Sequence, residues 1–127
     1  MILVDTDVLI AHLRGVEPAR GWLARARGDG PLWVSVVTVA ELTGGMRSGG
    51  RRQVSALLAA LRVKPVSEAT ARRAGDFQRS FRRSHSGIGL ADYLIAATAD
   101  LDGLDLATLN TRHFPMFDGL RPPFALA

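Results

Sequence analysis

Short apolar runs alternate with longer segments of helical periodicity along this chain. The apolar runs predict buried strands at residues 1–4 and 32–37 and further strands at residues 63–66 and 104–109. Apolar positions at helical spacing predict helices over residues 8–14, 17–27, 38–46, 51–61, 67–84 and 90–101. Strands that alternate with helices favour parallel pairing, with helices on both faces of the sheet. The pattern therefore predicts the α/β fold class.

Turn and capping residues set the expected boundaries of these elements. The sequence from Gly28 to Pro31 predicts a firm helix stop, and the segment Thr38–Glu41 fits a capping box that would begin the next helix. Residues 124–126 are expected to add an edge strand. No repeat or long linker interrupts the 127 residues, so we expect one domain over residues 1–127.

The composition limits which metal ligands and nucleophiles the chain offers and which partners it suits. The chain has no cysteine, which excludes disulfides, thiolate zinc sites and a cysteine nucleophile, so a metal ion would need oxygen or imidazole ligands. The formal net charge is +4, and all but one of the 16 basic residues are arginine, Lys64 being the exception. This balance suits a polyanionic partner such as a nucleic acid.

The sequence does not predict a membrane protein. Its longest stretch without a charged residue, residues 30–40, is too short for a membrane span. Asp5 and Asp7 interrupt the apolar start of the chain and argue against a secretory signal. We therefore expect a soluble, cytoplasmic protein.

Polar residues stand where predicted strands end and helices begin. Asp5 follows the first strand, Asn110 ends the fourth, and Glu41 and Asp92 lie near the starts of helices. In open parallel sheets, ligands bind at the carboxyl ends of the strands. Hard cations such as Mg²⁺ or Mn²⁺ take oxygen ligands there, together with water and substrate phosphate. The set predicts a metal-assisted phosphoryl reaction.

Simpler roles are open for three of these residues. Glu41 fits a helix cap, Asp92 fits the positive end of a helix dipole, and Asn110 fits a turn. Asp5 is different, because a carboxylate directly after a buried strand needs a partner and no basic residue lies near it in sequence. Asp5 therefore carries the functional hypothesis most directly.

Four segments resemble the motifs of PIN-domain ribonucleases, specifically the VapC-type toxins of bacterial toxin–antitoxin pairs. The first three segments each place an acidic metal ligand of that family, at Asp5, Glu41 and Asp92 respectively. The fourth ends at Asn110, where many members carry Asp, and is followed by His113 and Phe114. The four segments, in order and in register, are residues 2–10, 35–41, 90–97 and 106–110.

The resemblance implies a three-layer α/β/α sandwich around a mainly parallel sheet, and a homodimer. It also implies endoribonuclease activity that depends on Mg²⁺ or Mn²⁺ and is inhibited by a small cognate antitoxin. A water nucleophile, as the family implies, would leave 5′-phosphate and 3′-hydroxyl ends. Asn110 is retained among the catalytic candidates, since an amide oxygen coordinates a cation without adding charge.

Basic residues near the third motif are candidate RNA contacts. Arg72, Arg79 and Arg83 share one face of the helix predicted over residues 67–84, and His85 lies in the small-residue loop that leads to Asp92. A solvated helix face and a solvated loop histidine are the alternatives. A metal-free ribonuclease would rely on histidines, but His113 lies in the turn motif, where a structural role is expected.

Two other functions fit parts of the sequence. Asp5-Thr6-Asp7 after an apolar strand mimics the acidic pair of haloacid-dehalogenase-like phosphatases, but Lys64 is poorly placed for that chemistry, and Val8 stands where those enzymes have glycine. A PIN-like module that binds RNA or an antitoxin without cleavage is the second alternative, supported by Asn110. RNA digestion that requires Mn²⁺ and is abolished by a chelator would distinguish them.

Overall fold

Four parallel strands form the centre of the computed structural model, which describes residues 1–126. The strands are β1 (Ile2–Val4), β2 (Leu32–Ser35), β3 (Arg62–Lys64) and β4 (Asp105–Ala107). They lie in the order β3-β2-β1-β4, with Ile2 of β1 opposite Leu32 on one side and Asp105 on the other. This topology confirms the α/β class, and it places the ends of β1 and β4 side by side.

Helices cover both faces of the sheet. They are α1 (Thr6–Leu13), α2 (Glu17–Gly28), α3 (Val36–Gly45), α4 (Arg51–Ala59), α5 (Glu68–Phe81) and α6 (Leu90–Asp102). Side chains alternate across β1, so that Leu3 packs with Tyr93 and Phe77 in one core. Val4 packs with Leu9 and other side chains in the core on the opposite face. The two cores make the three layers of an α/β/α sandwich.

The start of α3 differs from the predicted capping box. Ser35 caps the helix by accepting the backbone N–H of Val37 at 3.0 Å, so the helix begins at Val36 and takes the last residues of the apolar run predicted as strand. Thr38 lies fully buried within the helix instead of at its start. Because Ser35 does the capping, the side chain of Glu41 is available for another contact.

The edge strand predicted over residues 124–126, all of which the structure describes, does not form. Residues 124–126 have no strand pairing, and the Phe124 ring packs against Trp22 of α2, with ring centroids 6.4 Å apart. Phe124 is half-buried, whereas Ala125 and Leu126 are exposed, so the prediction of a strand from this apolar run is wrong. No helix within residues 1–126 is both long and apolar enough to cross a membrane.

Candidate active site

Asp5 lies at the carboxyl end of the central strand and is only 5% exposed. Its Oδ1 accepts the backbone N–H of Thr6 at 2.8 Å, which caps α1, and its Oδ2 accepts the hydroxyl of Thr108 at 2.7 Å. The backbone N–H of Asp5 donates to the carbonyl of Ala107, the last residue of β4. Two adjacent parallel strands thus hold one buried carboxylate.

The surroundings of Asp5 disfavour its negative charge. Burial and the nearby charges of Asp7 and Asp92 together raise the pKa of its carboxyl to about 7, against the lowering effect of the two hydrogen bonds. The ionised cluster is therefore costly in the absence of a compensating positive charge. A cation bound among these carboxylates would offset that cost.

Asp7 is a site residue that sequence reasoning did not select. Its Oδ2 accepts the backbone N–H of Leu109 at 3.1 Å and that of Asn110 at 2.9 Å. Burial raises the pKa of the Asp7 carboxyl, while these hydrogen bonds lower it. Asp7 joins the start of α1 to the loop after β4. The second carboxylate of the Asp-Thr-Asp sequence could have indicated a role for Asp7 in the site, but its hydrogen-bond partners lie more than 100 residues away in the chain.

Glu41 reaches the same edge of the sheet from α3. Its Oε1 accepts the hydroxyl of Thr6 at 2.7 Å, and that hydroxyl lies 3.0 Å from the hydroxyl of Thr38. Thr6 is the residue after Asp5, so this contact ties the exposed Glu41 side chain to the residue that follows the buried carboxylate. The proposed alternative for Glu41, a cap on its own helix, is therefore wrong.

Asp92 lies in the first turn of α6, as predicted, and contacts His113. The Nδ1 of His113 lies 2.9 Å from Oδ2 of Asp92. An ionised carboxylate only accepts hydrogen bonds, so the proton of this contact is on the histidine nitrogen. His113 ends a short 3-10 turn, Thr111–His113, that follows the loop after β4. The sequence indicated a turn here but not this partner.

The remaining candidates lie farther from the carboxylates. Asn110 is exposed, and its side chain makes no hydrogen bond with any residue between 1 and 126. Its backbone N–H donates to Asp7 and Thr108, and its carbonyl accepts the backbone N–H of His113. The exposed guanidinium groups of Arg72 and Arg79 pair with Glu68 and Asp76 on α5 itself, at 2.8 Å each.

Two candidates lie beyond the end of α5. Arg83 is exposed in the turn after this helix, and His85 contacts the hydroxyl of Ser84 and the ring of Phe81. Within residues 1–126, none of the four basic candidates forms an ion pair or hydrogen bond with Asp5, Glu41 or Asp92.

The donor atoms suit a hard divalent cation, because the carboxylates of Asp5, Glu41 and Asp92 offer only oxygen. In the described part of the chain, however, no three acidic or histidine side chains are grouped closely enough to hold an ion by themselves. Mg²⁺ fits such an open arrangement, since it usually keeps several waters and uses one or two carboxylates together with substrate phosphate. The residues thus fit a cation that is shared with a substrate.

Comparison with known proteins supports the same interpretation. The PIN domain matches residues 2–120. The chain is 67% identical over 126 residues to Ribonuclease VapC10 of Mycobacterium tuberculosis, covering 99% of this chain and 95% of that protein. It is 41% identical over 125 residues to Ribonuclease VapC19 of the same organism, covering 98% and 100%. A toxin–antitoxin complex from Klebsiella pneumoniae contains a similar fold, with a TM-score of 0.79, 25% identity and 98% coverage of both chains.

Proposed function

The chain belongs to the PIN-domain family, among the VapC-type ribonucleases, and from this membership and its acidic site we propose that it is a Mg²⁺- or Mn²⁺-dependent endoribonuclease. The single observation that carries the proposal is the position of Asp5. It is a carboxylate at the carboxyl end of the central strand whose pKa is raised by its burial and by its neighbours Asp7 and Asp92. Perturbed groups of this kind are characteristic of functional sites.

Asp5, Glu41 and Asp92 are the proposed metal ligands. A divalent cation at such a site supplies Lewis acidity toward a phosphodiester and increases the acidity of water. The protein's own contribution is to orient the carboxylates. Thr108 and the N–H of Thr6 hold both oxygens of Asp5, while the hydroxyl of Thr6 holds Glu41. One short segment, residues 5–6, therefore organises two of the three ligands.

The proposed reaction is hydrolysis of an RNA phosphodiester. The oxygen of a water molecule bonds to phosphorus, the bond from phosphorus to the 3′ oxygen breaks, and that oxygen takes a proton. The products carry 5′-phosphate and 3′-hydroxyl ends, and the RNA 2′-hydroxyl takes no part. We assign Asn110 a supporting role, because its amide adds a neutral oxygen at the exposed rim of the site.

The proposed partners are RNA, a small cognate antitoxin and a second copy of the chain, and the proposed location is the cytoplasm. Solved structures with the same fold include a toxin–antitoxin complex from Klebsiella pneumoniae. An antitoxin side chain of Arg or Lys at the acidic crevice would relieve the repulsion among the carboxylates, as a metal ion does. Metal and antitoxin should therefore compete.

The decisive experiment is RNA cleavage by the purified chain, free of any partner, with Mn²⁺ or with excess EDTA. We expect cleavage only with the metal, and a loss of several orders of magnitude in Asp5→Asn. Asp118→Asn makes the same carboxylate-to-amide change at an exposed residue outside the site and should remain active. Full activity in EDTA, or in Asp5→Asn, would refute the proposal. Mn²⁺ binding without any cleavage would favour the alternative, a non-cleaving PIN-like module.

A further inference from the structure

The segment Thr108–Phe114 reaches the acidic site but contains no acidic residue. Its residue 110 is an exposed asparagine. Its direct link to Asp92 is instead the ring of His113. We propose that His113 is a positioning residue that fixes the orientation of the Asp92 carboxylate toward a bound divalent cation. This inference rests on the proposed function, and it extends that function to a residue that the carboxylate motifs do not include.

The contact constrains Asp92 in a specific way. The Nδ1–H of His113 donates to Oδ2 at 2.9 Å, which restricts rotation of the carboxylate about its last side-chain bond. The other oxygen of Asp92 accepts no hydrogen bond from any residue between 1 and 126. It is therefore available to a ligand. Hydrogen bonds to liganding side chains commonly serve this purpose, by fixing orientation and increasing ligand basicity.

The backbone of His113 is fixed by its own N–H and by the residue that follows it. Its backbone N–H donates to the carbonyl of Asn110 at 3.1 Å, inside the turn that Asp7 also holds. The next residue, Phe114, is 1% exposed and packs in the core that contains Tyr93 of α6. The helix that carries Asp92 and the segment that carries His113 thus share one rigid core. A fixed donor on a fixed backbone is what a positioning role requires.

The direct test is the affinity of the whole chain for Mn²⁺, measured by titration calorimetry at constant pH. His113→Leu removes the donor, and we expect about a 10- to 100-fold weaker affinity, the usual effect of losing such a partner. His113→Asn keeps a side-chain N–H near the position of Nδ1 and should remain within about threefold of the wild type. His85→Leu is the matched control, and its Mn²⁺ affinity should be unchanged, because within residues 1–126 the His85 ring hydrogen-bonds to Ser84 and packs on Phe81 but makes no hydrogen bond with an acidic residue.

A double variant separates positioning from a general structural role. If His113 acts through Asp92, then adding His113→Leu to Asp92→Asn should weaken Mn²⁺ binding no further. Thermal unfolding in EDTA shows whether each variant folds. Equal Mn²⁺ affinity of His113→Leu and wild type would overturn the inference. Equal losses of affinity and of thermal stability in His113→Leu and His113→Asn would also overturn it. Absence of Mn²⁺ binding by the wild type would instead refute the proposed function.

Discussion

The hydroxyl of Thr108 donates a hydrogen bond of 2.7 Å to Oδ2 of Asp5, although the two residues are 103 positions apart in the chain. Both are buried, and both follow strands that pair in the sheet. Parallel pairing of β1 with β4 is what brings their ends together. The acidic site is therefore a direct consequence of the strand order, and its stability is coupled to that of the sheet.

We predict that Thr108→Val lowers the free energy of unfolding by about 1–3 kcal/mol, the usual cost of leaving a buried polar group with one partner fewer. The change preserves the shape of the side chain and replaces only the hydroxyl with a methyl group. Because the Thr108 hydroxyl lowers the pKa of Asp5, its loss should raise that pKa further. Urea unfolding in EDTA at several pH values measures both effects. The loss should be larger at pH 8 than at pH 5, where more of Asp5 is protonated.

Thr98→Val is the control for this experiment. Thr98 is also buried, but its hydroxyl donates to the carbonyl of Leu94 within α6 and does not contact a carboxylate. Its substitution should change stability by the same amount at both pH values. An equal, pH-independent loss in Thr108→Val would show that the hydroxyl does not stabilise the ionised form of Asp5.

Asp5 itself should make the metal-free protein less stable as the pH rises. Its pKa is about 7 in the folded chain and 3.8 in the unfolded chain, so between these values the folded state keeps a proton that the unfolded state has released. The free energy of unfolding then falls as the pH increases from about 4 to about 7. Asp5→Asn removes this charge and should stabilise the chain at pH 8 by roughly 1–3 kcal/mol.

The measurement is urea unfolding of both proteins in EDTA across that pH range. Asp7 retains its own raised pKa, so the slope should become shallower in Asp5→Asn but should not vanish. Asp118→Asn controls for the loss of a carboxylate elsewhere. Identical pH slopes for the wild type and Asp5→Asn would contradict the prediction and would indicate that Asp5 ionises normally in the folded chain.

The sequence predicted the class of fold and the edge of the sheet where the acidic residues lie. Those features depend on local periodicity and on the rule that strand ends meet in a parallel sheet. It predicted the wrong start for α3, because β-branched residues such as Val36 favour strands and only the hydroxyl of Ser35 marks the helix boundary. The roles of Asp7 and His113 depend on contacts with residues distant in the chain, which neither spacing nor periodicity reveals.

The basic residues proposed to contact RNA should not contribute equally. Arg72 and Arg79 each lie within 2.8 Å of a carboxylate on α5, which offsets their charge locally, whereas Arg83 forms no ion pair within residues 1–126. We predict that Arg83→Gln weakens binding of single-stranded RNA severalfold and that Arg72→Gln changes it less. The salt dependence should also become shallower in Arg83→Gln, by roughly 0.7 in the slope of log K against log salt concentration.

Fluorescence anisotropy with the Asp5→Asn protein measures this binding without cleavage. Arg25→Gln provides a matched control on α2, a helix with no proposed RNA contact. If Arg72→Gln and Arg79→Gln weaken binding more than Arg83→Gln, the face of α5 is the RNA surface and the exposed turn after it is not. If Arg25→Gln has as large an effect as Arg83→Gln, net charge alone governs binding.

Asn110→Asp tests whether residue 110 is near enough to a bound cation to affect its affinity. The substitution adds a negative charge, which attracts the cation but also repels Asp7, whose carboxylate accepts the backbone N–H of residue 110. At pH 7.5 and above we expect attraction to dominate, because a divalent cation neutralises the added charge. Mn²⁺ binding should become roughly three- to tenfold tighter at low ionic strength.

Because Asn110 is exposed, the gain in Mn²⁺ affinity of Asn110→Asp should depend on ionic strength and on pH. An exposed charge is screened by salt, so the gain in Mn²⁺ affinity should shrink as ionic strength rises, whereas a charge in a dry crevice would be screened little. Protonation of the additional carboxylate should also make the loss of affinity on acidification steeper than in the wild type. Asn110→Ala should bind Mn²⁺ more weakly than the wild type but more tightly than Asp5→Asn. Calorimetric titrations that give one affinity for Asn110, Asp and Ala at this position would place the side chain beyond the influence of the metal. Its contribution would then come only from its backbone, whose N–H donates to Asp7 and whose carbonyl accepts the N–H of His113.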